Sequence, residues 1–273
     1  MSMPRKGRKK DKHESKDKNL SNNENKKTNN KGKKSKKQPK LSNEELEKFV
    51  EDISNELIGK LGLDLIGLNP EDIKNIVEEV IISISESRVT KPSEESIIKK
   101  VLLSKEQFMK SIASILLEEG KINDRERLEF LIAYAPDIAG KATPILYQIA
   151  KKLNANDIIE SLRQLWNMYG KPTPIKCPRC GFNSVMPDLT CIICGAILDE
   201  KEIKESLDFQ NSLKDLTRHY NTRLIEEIIN SGYVIYDGEI KPPSLLEKDR
   251  ISIAIHLNKN EKDYLKALIS NLA

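Results

Sequence analysis

CPRCGFNSVMPDLTCIICG, residues 177–195, contains all four cysteines of a 273-residue chain. Cys177 and Cys180 are separated by two residues, as are Cys191 and Cys194, and ten residues lie between the pairs. A C-x2-C loop sets two sulfurs on one side of a tight turn, and two such loops facing each other form a tetrahedron. Thiolates are soft donors, and four of them match structural zinc at about 2.3 Å per bond. Iron also accepts four thiolates, and spacing does not separate the two metals. Sulfur fills every protein position, so no place stays open for water, and the predicted metal is structural rather than catalytic. Gly181 and Gly195 each follow the second cysteine of a pair. Glycine there permits a positive φ, which turns amides toward the sulfurs. Cysteines gathered in one short window suit a reduced compartment and a metal better than a disulfide framework, so a cytoplasmic location is expected.

Outward from the cysteines, KPTPIK at 171–176 reads as a proline-broken linker, and 171–197 as the metal module with that linker. Upstream, 41–170 is predicted to be an α-helical bundle. Ser42 with Glu45 forms a capping box, followed by Leu46, Phe49, Val50, Ile53 and Leu57 at helical spacing. Asn69 and Pro70 open a second helix, and Ser93 a third. Ser104 with Gln107 opens a fourth that stops at Gly120, Asn123 with Glu126 a fifth, Thr143-Pro144 a sixth, and Asn154 a seventh that ends at Gly170. Downstream, 198–273 is predicted to be a helical segment to Gly232 followed by a small α+β region. Asp237-Gly238 is a hairpin turn, ISIAIHL at 251–257 alternates as a half-buried strand does, and Asn260 with Asp263 caps a last helix.

The charge is divided unevenly. Residues 1–40 hold 16 Lys/Arg against 4 Asp/Glu, which leaves 30 against 38 in the rest: a tail of +12 on a body of −8. The tail has almost no apolar residues and is predicted to be disordered, because it cannot bury enough surface to offset its conformational entropy. Its final stretch, KGKKSKKQPK, presents Lys31, Lys33, Lys34, Lys36, Lys37 and Lys40. A flexible polycation binds nucleic acid by releasing counterions, without sequence preference. The tail has no aromatic residue on which a base could stack, so base reading is not expected. The bland alternative is a solvated tail that attracts any acidic surface. No stretch approaches 18 consecutive apolar residues, and the tail carries no lipid anchor signal, so no membrane partner is expected.

The 19 residues of 177–195 resemble the short zinc-ribbon modules, whose pattern is CPxCG, about ten residues, then CxxCG. CPRCG matches fully. CIICG has isoleucine where many members have proline and asparagine. The resemblance implies a small β-ribbon stapled by zinc. It implies nothing definite about substrate, because such ribbons serve nucleic-acid-binding, protein-binding and purely structural roles. The C-terminal ISIAIHLNKNEKDYLKALISNLA resembles the strand and first helix of ribbon-helix-helix DNA-binding proteins. Its strand offers Ser252 and His256 where those proteins place base readers, so a small α+β cap is the plainer reading.

No phosphate-binding glycine loop and no nucleophile–base set can be assembled from the sequence, and the three histidines lack metal-ligand spacing. The expectation is a mainly α, non-catalytic protein. It comprises a disordered basic tail (1–40), a helical bundle, a four-cysteine zinc ribbon and a small α+β C-terminal region. Nucleic acid or a ribonucleoprotein is its expected partner through the tail. The competing expectation is a protein–protein adaptor in which the tail is incidental. No small-molecule substrate is evident.

Overall fold

The computed structural model describes residues 42–86 and 93–271. The expected disordered tail, with its lysines, lies outside them.

Each helix of the first half starts and stops for a local reason. Helix α1 (Asn43–Leu61) is opened by the Ser42/Glu45 capping box and closed by Gly62 at φ 70°. A 3-10 turn (Leu63–Ile66) leads to α2 (Pro70–Glu86). There Asn69 Oδ1 accepts from the Asp72 amide while the Asp72 carboxylate accepts from the Asn69 amide. Next come α3 (Glu94–Leu103), capped by Ser93, then α4 (Lys105–Glu118) and α5 (Arg125–Tyr134). The half ends with α6 (Pro136–Lys141), α7 (Thr143–Lys152) and α8 (Asn156–Tyr169). Helix α4 ends as predicted. Gly120 at φ 68° lets the amides of Gly120 and Lys121 return to the carbonyls of Leu117 and Leu116.

Several predicted helix starts move. Ser104 stands at the start of α4 but its side chain caps nothing, because it also closes α3. The cap of α5 is Asp124, whose side chain accepts from the Arg127 amide, not Asn123. Asn154 does not open α8. It takes the left-handed conformation (φ 55°) and ends α7, with the Ala155 amide returning to the Ala150 carbonyl. Asparagine tolerates that conformation better than other non-glycine residues, so a residue read as a start serves as a stop. Helix α6 went unpredicted because PDIAGK has no apolar stripe. Gly140 within it is required by close approach: a Cβ there would sit 2.6 Å from the Leu165 carbonyl oxygen of α8.

The second half contains α9 (Glu200–Ser206), α10 (Phe209–His219) and α11 (Thr222–Ser231). The predicted single helical segment is thus three helices. It breaks at Asp208 (φ 48°) and again at Asn221, which caps α11. Gly232 ends α11 as expected. Strands β1 (Tyr233–Tyr236), β2 (Ile240–Lys241) and β3 (Ile253–His256) form an antiparallel sheet in the order β2-β1-β3. The hairpin joins Tyr236 to Ile240 through three residues, with Gly238 at φ 99°, rather than through Asp-Gly alone. Tyr233 pairs with His256 and Tyr236 with Ile253. The predicted alternation holds, with Ile253 and Ile255 buried and Ala254 and His256 exposed. Helix α12 (Lys259–Ser270) is capped by Asn258 with Glu261, two residues before the predicted pair.

The architecture is mainly α. Among the described residues there are twelve α-helices and one three-stranded antiparallel sheet near the C-terminus. The hydrophobic core runs through α1–α8, residues 175–198 and the C-terminal elements. The main contacts between elements fall into two sets, one within α1–α8 and one within α9–α12 and the sheet. Residues 171–199 lie between these sets. No described helix is long and apolar enough to cross a membrane.

Candidate metal centre

Two hydrogen-bonded loops of one design place the cysteines. In the first, the Gly181 amide donates to the Cys177 carbonyl (2.9 Å) and the Cys177 amide to the Phe182 carbonyl (2.8 Å). In the second, the Gly195 amide donates to the Cys191 carbonyl (2.8 Å) and the Cys191 amide to the Ala196 carbonyl (2.9 Å). The offsets are identical, and both glycines have positive φ, 78° and 71°. The knuckles are therefore copies of one turn, as the repeated C-x2-C-G implies.

The four sulfur atoms lie within 4.8 Å of one another. Cys177 Sγ is 3.9 Å from Cys194 Sγ, and Cys180 Sγ is 3.6 Å from Cys191 Sγ. Four sulfurs about 2.3 Å from a common centre stand about 3.8 Å apart on tetrahedral edges. Disulfide sulfurs would be at about 2.05 Å. The donor set and its spacing therefore fit a metal ion and exclude a disulfide. Cys177, Cys180 and Cys191 are buried, and Cys194 is half-buried.

Four thiols this close cannot all ionise without a cation among them. Hydrogen bonds from Cys177 and Cys180 hold the Cys191 thiol far below its ordinary range. The Cys194 amide (3.5 Å) and the Ser184 hydroxyl (3.1 Å) also approach its sulfur. Cys180 is driven strongly upward by Cys177, by Cys191 and by burial. The Cys180 thiol draws the Cys177 ionisation down, but Cys191 and burial outweigh it and push Cys177 up to about 11. The cluster thus resists carrying four negative charges by itself. A divalent cation would remove that restriction by displacing the protons.

The module itself has little regular structure. Its β-pairing is confined to isolated antiparallel bridges: Lys176 with Asn183, Val185 with Cys191, and Thr190 with Ile197. The linker belongs to this network, since Ile175 is buried and its carbonyl accepts from the amides of Ser184 and Val185.

Helices α7 and α8 hold the knuckles from one side. Trp166 Nε1 donates to the Asn183 carbonyl (2.8 Å), Arg163 Nε to the Cys180 carbonyl (3.1 Å) and Gln148 Nε2 to the Ile193 carbonyl (3.2 Å). The Phe182 ring lies edge-on to Tyr147, with centroids 5.5 Å apart, and beneath the Arg163 guanidinium. Burial, then the nearby sulfurs, raise the Tyr147 hydroxyl above its usual range. From the other side, Arg179 binds Glu202 of α9 through two hydrogen bonds, 2.8 and 3.2 Å.

Of the predicted site residues, the structure brings Cys177, Cys180, Cys191 and Cys194 together. Lys31, Lys33, Lys34, Lys36, Lys37 and Lys40 lie outside the described residues. Sequence reasoning missed Ser184 and the three side chains that grip the knuckles, Gln148, Arg163 and Trp166. Trp166 alone left a signal, because a buried indole on an apolar stripe needs an acceptor for its N–H. Compared with protein-family models, curated proteins and solved structures, the chain matches none.

Proposed function

We propose that this chain is a non-catalytic zinc-ribbon protein that associates with nucleic acid or a ribonucleoprotein through its Lys-rich tail. One observation carries the metal half of the reading: the four sulfurs converge at tetrahedral spacing inside a mostly buried cluster. Cys177, Cys180, Cys191 and Cys194 would hold zinc, which supplies cross-linking between the knuckles. With four sulfurs as ligands no place is left for a substrate or an activated water. The tail half rests on charge, because residues 1–40 carry +12 beside a body of −8. The ribbon contributes no cationic surplus of its own, since Arg179 is engaged by Glu202.

Elemental analysis of purified protein tests the metal. One zinc per chain is expected, and one iron with thiolate colour would replace zinc by iron. Retention of the full chain on immobilised RNA and DNA tests the tail, against a variant with Lys31, Lys33, Lys34, Lys36, Lys37 and Lys40 all changed to Gln. The native chain should lose roughly 10³–10⁵ in affinity between 50 and 200 mM salt if the tail neutralises 6–10 phosphates. Equal retention of both proteins would leave the adaptor reading in its place.

A further inference from the structure

The polar contacts described above that grip the ribbon from both sides land within three residues of a sulfur ligand. From the bundle, Arg163 reaches Cys180, Trp166 reaches Asn183, and Gln148 reaches Ile193, the neighbour of Cys194. From the C-terminal half, Glu202 holds Arg179, which stands between Cys177 and Cys180. Gly238, at the hairpin turn, fits so closely against Pro174 that a Cβ would come within 3.1 Å of the Pro174 carbonyl oxygen. The three bundle contacts are to backbone carbonyls, so they exist only while the knuckles keep their shape.

The flanking halves do not depend on the knuckles in this way. Helices α1–α8 bury Ile112, Leu131 and Leu162, and the C-terminal half buries Leu213, Ile228, Ile255 and Leu265. The C-terminal half also has polar ties of its own: Lys204 with Glu261 (2.9 Å), Glu200 with His256 (2.7 Å) and Ser244 with Glu227.

We propose that occupancy of the four-sulfur site decides whether the C-terminal half, residues 199–271, is held against helices α1–α8. With metal bound, residues 173–198 are a rigid strut. With metal withdrawn, the knuckles open, all of these grips are lost together, and two folded halves move independently. The proposal rests on the metal reading above and adds a mechanical consequence to it. The resulting device reports metal supply as a change in the spacing of two surfaces.

The test compares full-length protein loaded with one equivalent of zinc and the same protein stripped by a strong chelator. Amide hydrogen exchange is read by segment, with small-angle scattering and limited trypsin digestion alongside. On stripping, exchange in 173–198 should rise roughly tenfold or more while α5 and α10–α12 keep their protection. The radius of gyration should increase, and cleavage should appear after Lys176 and Arg179. Unchanged protection in 173–198 after proven metal removal overturns the coupling and leaves the metal reading intact. Loss of protection in α10–α12 together with the ribbon also overturns it, since the C-terminal half would not then stand alone. A chain that never takes up a metal equivalent overturns both. Glu202→Gln provides a second route, because glutamine preserves the α9 capping box but gives up the charge facing Arg179. It should retain full metal content and raise exchange in α9 but not in α8. No change in α9 would count against the strut.

Discussion

The bundle and the four-cysteine module, the ribbon of the proposal above, each have a buried interior, but for opposite reasons. Helices α4–α8 are ordered by what they contain: apolar side chains at helical spacing such as Ile112, Leu116, Leu128, Leu131 and Leu162, all fully buried. The ribbon is ordered by what is attached to it. It has three isolated bridges, a few buried apolar residues (Ile175, Phe182, Val185 and Ile193) and four sulfurs within 4.8 Å of one another. A helix satisfies its own backbone, whereas the carbonyls of Cys180 and Ile193 accept from α8 and α7, and that of Asn183 from α8 as well as from the Thr173 amide. Burial alone is therefore a poor guide to which part of this molecule would stand unaided.

The largest expected effect breaks the ribbon and spares the bundle. Cys191→Ser removes one of the four clustered sulfurs, a buried one that lies 3.6 Å from Cys180 Sγ. Structural zinc contributes on the order of 10 kcal/mol or more to folding such a module. The variant should fail to retain a metal equivalent in elemental analysis and should lose hydrogen-exchange protection over 173–198. Its far-UV circular dichroism should stay close to native, because the helices are elsewhere. Collapse of the helical signal would show that the bundle leans on the ribbon after all.

The converse change attacks the bundle. Leu131→Ala in α5 opens a cavity at a fully buried position and should cost about 2–5 kcal/mol in chemical denaturation. Below the unfolding transition its metal content should remain one equivalent per chain. Metal loss in the folded variant would contradict the separation of the two regions.

This contrast also marks where the sequence was legible. The four ligands could be read because their chemistry is local: a C-x2-C-G turn needs only five residues, and it recurs with the same hydrogen bonds. The apolar stripes of α1, α2 and α8 were readable for the same reason. Helix starts were less so, because several polar residues compete for one cap. Asn123 lost to Asp124, and Asn258 displaced Asn260. Helix α6 left no mark because it packs through Ala139 and Gly140 rather than through a stripe. The grip on the knuckles was not legible. Arg163, Gln148 and Trp166 meet backbone carbonyls that are distant in sequence, and no spacing rule predicts which carbonyl will arrive.

A smaller effect lies at the seam between the regions. Trp166→Phe keeps an aromatic ring in the core but removes the indole N–H that serves the Asn183 carbonyl. The carbonyl keeps the Thr173 amide at 2.9 Å, so the change removes one of its two hydrogen bonds and should cost about 0.5–1.5 kcal/mol. The loss should appear as faster transfer of the bound metal to a competing chelator, with little change in the stability of α4 and α5. Equal loss in both places would mean that the indole supports the bundle rather than the ribbon.

The smallest effect separates the regions by pH. Asp72, at the start of α2, is 5% exposed. Its burial alone would raise its carboxyl, but the Lys121 ammonium at 2.7 Å and the Asn69 amide outweigh that and hold it below the usual carboxylate range. A carboxyl whose pKa is lower folded than unfolded contributes stability above the unfolded value, about 3.9. That contribution disappears as pH falls through the folded value. Lys121 is partly in water, so the pair is worth roughly 0.2–1 kcal/mol, and Asp72→Asn should lose that amount at neutral pH and flatten the acid limb of bundle unfolding. The ribbon responds to acid differently and sooner. Its sulfurs must shed protons to hold a metal, and the Cys177 thiol without metal is pushed up to about 11, so affinity should weaken steadily as pH falls. Acid titration followed by metal release and by helical signal should therefore give two transitions, the metal leaving first. Asp72→Asn should move only the second, and a single shared transition would mean that ribbon and bundle unfold as one body.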